Sequence, residues 1–139
     1  MSEVIEIKGR VVARGRAAGE ALVSDSVLSF WGEVDPVSGK VIAVGHPLEG
    51  QSLRGRVLVI RSTKGSSATP MVLNLAQLEG NAPVAFVNLE VDSLAALGCI
   101  VNGIPMITDL ERRAFGAIQA GDHVVVYADA VVLTITKKC

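Results

Sequence analysis

Twenty-one valines and nine isoleucines stand among the 139 residues of this chain. Side chains branched at Cβ suit a pleated, buried surface better than a helix, so strands are expected to dominate the framework. The spacing predicts a long first strand from Val4 to Arg16, with a bulge expected at Gly9, and a turn bracketed by Gly15 and Gly19. A short strand over Glu20–Ser24 follows, then a loop rich in turn formers through Gly39, then a strand over Lys40–Val44. Beyond Gly50 the pattern changes to strands alternating with helix-like stretches, as βαβ units require. Strands are expected at Val57–Arg61, Val84–Leu89 and Ile104–Thr108. Helices are expected at Pro70–Glu79, where Met71, Leu75 and Leu78 recur at helical spacing, and from an Asp92 or Ser93 cap to Val101. His123–Tyr127 and Val131–Thr136 read as a closing pair of strands. No repeat, linker or low-complexity tract divides residues 1–139, which read as one β-rich α/β domain.

A chain of this size removes roughly two-thirds of its unfolded surface from water on folding, enough for one core. Half the residues are apolar and 19% charged, which excludes a disordered tail. The net charge is −1, so no global field draws the chain to nucleic acid or anionic lipid. Phe30, Trp31, Phe86, Phe115 and Tyr127 are too scattered for a base-stacking platform. Cys99 and Cys139 are too few for a zinc or iron–sulfur ligand set, and no metal site is expected within this chain. Cys99 reads as buried packing and Cys139 as part of a frayed end. The N-terminus lacks a signal-peptide layout and no apolar run is long enough to span a bilayer, which reads as a cytoplasmic protein without a membrane partner.

The stretch Arg61-Ser62-Thr63-Lys64-Gly65-Ser66-Ser67-Ala68-Thr69-Pro70 carries the chemistry: small hydroxylated residues and one glycine between a buried strand and a helix. Unpaired N–H groups at the helix start, the positive end of its dipole and the Lys64 ammonium can converge there on a carboxylate or phosphate. Gly65 permits close backbone approach. Ser66 or Ser67 can supply either a helix cap or a reactive hydroxyl, and spacing alone leaves capping, anion binding and catalysis open. The dinucleotide and P-loop fingerprints are absent, and Ser66 lacks the flanking glycines of a serine-hydrolase elbow. His46 precedes Pro47 in a loop, and His123 lies in an alternating strand where a surface or barrel-lining position suits it better than catalysis.

The ordered series Gly19-Glu20-Ala21-Leu22-Val23-Ser24, Leu28-Ser29-Phe30-Trp31-Gly32, Val34-Asp35-Pro36, His46-Pro47-Leu48, Gly50-Gln51-Ser52-Leu53, Gly55-Arg56-Val57-Leu58-Val59, Lys64-Gly65-Ser66-Ser67 and Ile104-Pro105-Met106 resembles the small subunit of aconitase X. The resemblance implies a single swivelling β/β/α domain, a barrel-like β framework with short helices. Such a domain closes over an active site built mainly by a separate large subunit. It implies a hydro-lyase of small hydroxy acids whose iron or iron–sulfur centre is held by cysteines of that large subunit. Ser66 then matches the serine that takes a proton from the carbon next to a carboxylate, with Lys64, Gly65 and Ser67 around the substrate. Aconitase follows its two serines with an arginine that grips a carboxylate. Ala68 and Thr69 stand here instead, which argues against a tricarboxylic substrate held in that way. Glu33 also replaces a glycine frequent in the family after Gly32, which bears on the shape of the Trp31 loop. Trp31 is expected either in a core or hinge, or facing the cleft or large subunit, and Asp35 as a turn residue.

Two substrates fit the family, cis-3-hydroxy-L-proline and mevalonate 5-phosphate. The absence of a marked Lys and Glu excess favours the first, through a mesophilic bacterial origin. A non-catalytic docking module is the reading of a different class. A phosphohistidine carrier, suggested by Gly121-Asp122-His123-Val124, would need a histidine in the small-residue turn, and none is there.

Overall fold

The computed structural model describes residues 4–129 and 132–136. In chain order its elements are β1 (Val4–Lys8), β2 (Arg10–Ala13), β3 (Arg16–Leu28), the irregular single turn α1 (Phe30–Glu33), β4 (Val34–Asp35) and β5 (Lys40–Val41). They continue with β6 (Val57–Thr63), α2 (Thr69–Leu78), β7 (Ala85–Asn88), α3 (Ser93–Asn102), β8 (Met106–Thr108), α4 (Arg112–Gly116), β9 (His123–Tyr127) and β10 (Val132–Thr136). The expected Val131 position and Cys139 lie outside the described residues.

Eight strands form one sheet in the order β1-β10-β9-β3-β6-β7-β8-β2, and β4 pairs with β5 in a small hairpin. β1 and β2 occupy the two edges of that sheet yet are separated in sequence by Gly9 alone. The sheet therefore has to curl until its edges approach each other, giving the barrel-like framework that the resemblance implied. Gly9 is more than the bulge expected there. It splits the predicted first strand in two and sends the halves to opposite edges, β1 against β10 and β2 against β8. A Cβ at Gly9 would lie 2.5 Å from Ile107 Cγ2 and 2.9 Å from the Thr108 carbonyl oxygen, so the crossing has room only for glycine.

The other correction near the N-terminus concerns Gly19, which lies inside a strand rather than a turn. β3 runs for 13 residues, pairing antiparallel with β9 in its first part and parallel with β6 in its second. Gly19 is kept small because a Cβ there would meet the Gly55 carbonyl oxygen at 2.5 Å. The strand expected over Lys40–Val44 stops at Val41.

Strands β6, β7 and β8 are parallel neighbours joined through α2 and α3. β6 is apolar on both faces because both are covered. Leu58 and Ile60 join Phe86, Val72, Leu73, Ala95 and Cys99 in one core beneath the helices. Val57 and Val59 join Ile7, Val87, Phe115, Val124 and Val126 in a second core on the opposite face of the sheet. Helix α2 forms where expected: Val72, Leu73 and Ala76 are buried, while Met71, Leu75 and Leu78, whose spacing marked the helix, face outward. Helix α3 begins at an Asp92 cap whose side chain accepts the Ala95 N–H, and ends at Gly103 in the left-handed region, φ 69°. Among the described residues no helix is long and apolar enough to cross a membrane.

Candidate active site

The crossovers from β6 to β7 and from β7 to β8 place the N-termini of α2 and α3 at the carboxyl ends of the parallel strands, where open α/β sheets bind ligands. The two helix starts differ. Asp92 fills that of α3, whereas residue 68 at the start of α2 is alanine, and among the described residues no side chain caps the helix. The free end of the α2 dipole therefore belongs to the turn formed by residues 64–68.

That turn is held at both ends. The Lys64 N–H donates to the Leu28 carbonyl at 3.0 Å, tying the turn to the end of β3, and the Thr69 N–H donates to the Ser66 carbonyl at 3.0 Å. Ser66 is half-buried, and its Oγ accepts the Ala68 N–H at 3.2 Å. Among the described residues, the N–H groups of Gly65, Ser66 and Ser67 donate to nothing, which leaves three adjacent donors at the start of a helix. Lys64, Gly65 and Ser67 are exposed, and Lys64 makes no ion pair among the described residues. The four sequence-predicted residues are thus brought into one turn, with Ser66 closest to the body of the fold. Ser66 serves the turn as a local acceptor two residues back from Ala68, not as the helix N-cap.

Gly65 packs close to Asp92, whose Oδ1 would lie 2.9 Å from a Cβ on that glycine. Asp92 Oδ2 accepts the Thr63 hydroxyl at 3.0 Å and the Ala95 N–H at 3.4 Å. The carboxylate thus ties both ends of the βαβ crossover together just below the turn. Two further polar side chains lie at this end of the sheet, Thr69 and Asn88, both fully buried. Sequence reasoning passed over them. The signal for Asn88 was a carboxamide inside the otherwise apolar run Ala85-Phe86-Val87-Asn88-Leu89.

The Trp31 loop flanks the site, since α1 packs against α2. Phe30 is the core aromatic of this pair, its ring 5.6 Å from that of Phe86, while Trp31 is 60% exposed, which removes the core reading for Trp31. Glu33 closes the loop with its own carboxylate, Oε1 accepting the Ser29 N–H at 2.6 Å, and Gly32 takes φ 87° to allow it. Asp35 is a turn residue: its carboxyl sits below the usual range because the Ser38 side chain and then the Val37 N–H bond to it. His46 is structural. Its Nδ1 accepts the Leu48 N–H at 3.0 Å, so its Nε2–H donates to the Val27 carbonyl at 2.9 Å, bracing the bulge in β3. His123 is exposed on β9.

No group of three or more His, Cys, Asp or Glu side chains that could hold a metal is present among the described residues. Cys99 is fully buried, and burial pushes its thiol up to about 12, so it offers no thiolate. The described residues do not fit an iron or iron–sulfur centre.

A sheet curled nearly into a barrel, carrying two helices and a Ser–Ser turn open to the surface, defines a small α/β domain whose candidate site is exposed rather than enclosed. A family model described as the aconitase X swivel domain matches residues 6–135, and the chain belongs to that family. It is 41% identical over 122 residues to the phosphomevalonate dehydratase small subunit of Methanosarcina acetivorans, covering 88% of this chain and 85% of that one. It is 39% identical over 132 residues to the protein of the same name from Methanocella arvoryzae, covering 95% and 100%. The crystal structure of aconitase X from Thermococcus kodakaraensis in its holo form superposes with a TM-score of 0.89 at 33% identity, covering 96% of this chain and 99% of that chain.

Proposed function

We propose that this chain is the small subunit of an aconitase X type dehydratase acting on mevalonate 5-phosphate, and that Ser66 is its base. The observation that carries the reading is the hydrogen bonding around Ser66: its Oγ already accepts one backbone N–H, and three unused N–H groups adjoin it at an uncapped helix start. A serine hydroxyl is too weak an acid to lose its proton near neutrality unless donors stabilise the oxygen and water is excluded. This chain supplies the Ala68 N–H to the Ser66 oxygen, and exclusion of water falls to a large subunit closing over the exposed turn. In this reading Ser66 Oγ takes the proton from the carbon next to the substrate carboxylate, and the hydroxyl on the neighbouring carbon departs. Gly65 and Ser67 donate to an anionic group of the substrate, and Lys64 supplies a positive charge beside it. The iron centre and the handling of the leaving hydroxyl are assigned to the large subunit.

Relatives that carry the name phosphomevalonate dehydratase small subunit support this choice of substrate, and a Lys64 without an ion pair among the described residues suits a phosphate. This reading displaces cis-3-hydroxy-L-proline as the first expectation. That expectation rested on Lys and Glu content, which responds to growth temperature rather than to the chemistry of a site.

Co-expression with a large subunit of the family, anaerobic iron reconstitution and assay on both substrates test the proposal. Mevalonate 5-phosphate should be dehydrated, and Ser66→Ala should lower kcat by about a hundredfold or more with the complex intact. Near wild-type turnover by Ser66→Ala would make the chain a non-catalytic docking module. Turnover of the hydroxyproline alone would reverse the choice of substrate.

A further inference from the structure

Helices α2 and α3, ten residues each, contain no Asp, Glu, Lys or Arg, although 19% of the chain is charged. Their inner faces explain part of this, since Val72, Leu73, Ala95 and Cys99 lie in the first core. Their outer faces do not. Met71, Leu75 and Leu78 on α2 and Leu97, Ile100 and Val101 on α3 are all exposed, Leu78 to 76% and Val101 to 68%. A helix with water on its outer side ordinarily carries charged residues there. Helix α4, on the opposite face of the sheet, does so, with Arg112 and Arg113 exposed and Phe115 in the second core.

The two apolar stripes form one surface because the helices pack closely. Gly98 of α3 leaves room for Pro70, whose Cα would lie 3.2 Å from a Cβ on that glycine. Asn102 Nδ2 donates to the Pro70 carbonyl at 3.3 Å, and Gln77 Nε2 donates to the Asn102 carbonyl at 2.8 Å. The surface also runs up to the candidate site. The Thr69 N–H bonds to the Ser66 carbonyl, Met71 follows two residues later, and the exposed Trp31 stands on α1, which packs against α2. Exposed apolar side chains gathered in one patch mark a protein contact, and depletion of charge marks the buried centre of an interface. Charges return to either side of α2, at Lys64 and Glu79, both exposed, as at an interface rim.

We propose that the outer face of α2 and α3, together with Trp31, is the surface on which the large subunit is seated, by apolar burial rather than ion pairing. The inference rests on the reading of Ser66 given above, in which a large subunit closes over the turn. Continuity of the surface with that turn selects the occupant, because a body that covers Ser66 meets Met71 and Trp31 as well. A second copy of this chain brings to the turn no group that this chain lacks.

Calorimetric titration of the purified small subunit with the purified large subunit tests this. Leu78→Lys and Val101→Lys should each weaken association by about tenfold or more, because a charge is then buried in an apolar contact. Both residues lie in the last turn of a helix, where a cation is favoured, so the free variants should melt within about two degrees of wild type. Arg113→Glu, on the other face of the sheet, should leave association unchanged. Raising the salt to about 1 M should weaken the wild-type complex by no more than about twofold. Wild-type affinity in both lysine variants, an equal loss in Arg113→Glu, or dissociation of the wild-type complex in high salt would each overturn the proposal. So would a chain that is dimeric on its own as wild type and monomeric as Val101→Lys, with affinity for the large subunit unchanged, since the face would then belong to a second copy. Should a lysine variant fail to fold, Leu78→Gln and Val101→Thr decide by the same comparison. Association is read without turnover, so full activity of Ser66→Ala would remove the base assignment and leave the docking face to be judged by affinity alone.

Discussion

Thr63 Oγ1 donates a 3.0 Å hydrogen bond to Asp92 Oδ2, joining the last residue of β6 to the cap of α3 across a stretch of 29 residues. The same oxygen accepts the Ala95 N–H, so one carboxylate holds both the strand end and the helix start beside the Ser66 turn. Asp92→Ala should lower the free energy of unfolding by about 1–2 kcal/mol, the range for losing a helix cap. Asp92→Asn should recover most of the loss, because asparagine caps as well as aspartate. Urea denaturation of the isolated subunit measures both, and an unchanged midpoint for Asp92→Ala would contradict the assignment.

Leu73 and Leu78 lie on the same helix with opposite surroundings, the first fully buried and the second 76% exposed. Leu73→Ala should cost about 2–5 kcal/mol through reduced transfer energy and the cavity left behind. Leu78→Gln should stay within about 0.5 kcal/mol of wild type. Thermal melts of the two variants check which face of α2 meets the core, and equal losses would contradict the orientation described above.

Cys99 should resist alkylation. With its thiol raised to about 12 by burial, it carries almost no thiolate at pH 8 in the folded protein. In a Cys139→Ser background, iodoacetamide should label the native protein only as fast as it opens, and rapid labelling in native buffer would refute the burial. The raised value also sets a dependence on alkali. Below the ordinary thiol value near 9 both states hold the proton, and the contribution of Cys99 is fully present. Above it the unfolded chain releases the proton while the folded chain retains it, so stability falls progressively from about pH 9 towards 12. Cys99→Ala should show a shallower fall over the same interval.

Several elements could be read from local chemistry because local chemistry decides them. The apolar run Val57–Ile60, the Asp92 cap and the Ser–Ser turn each depend on neighbours in sequence, and the structure has all three. The four residues at 64–67 were legible together for the same reason. What stayed hidden depends on distant partners. Gly9 looks like a bulge and Gly19 like a turn residue until Ile107 and the Gly55 carbonyl are brought against them. The spacing of Met71, Leu75 and Leu78 marks a helix without saying which side is covered, and only the sheet beneath chooses Val72 and Leu73. Asn88 and Thr69 carry no motif, and their oddity appears only once burial is known.

The register that sets Val4 opposite Thr136 and Lys8 opposite Val132 has a meaning in time. During synthesis the first strand of the chain has no partner until the last one exists, so the parallel β6–β8 unit, with its short crossovers, can be complete while the seam is still open. Until then the edge of β1 waits unpaired. Deletion of the last eight residues would therefore leave a nascent-like protein, with the Ser66 turn built but the sheet unclosed and its edges free to pair with another copy.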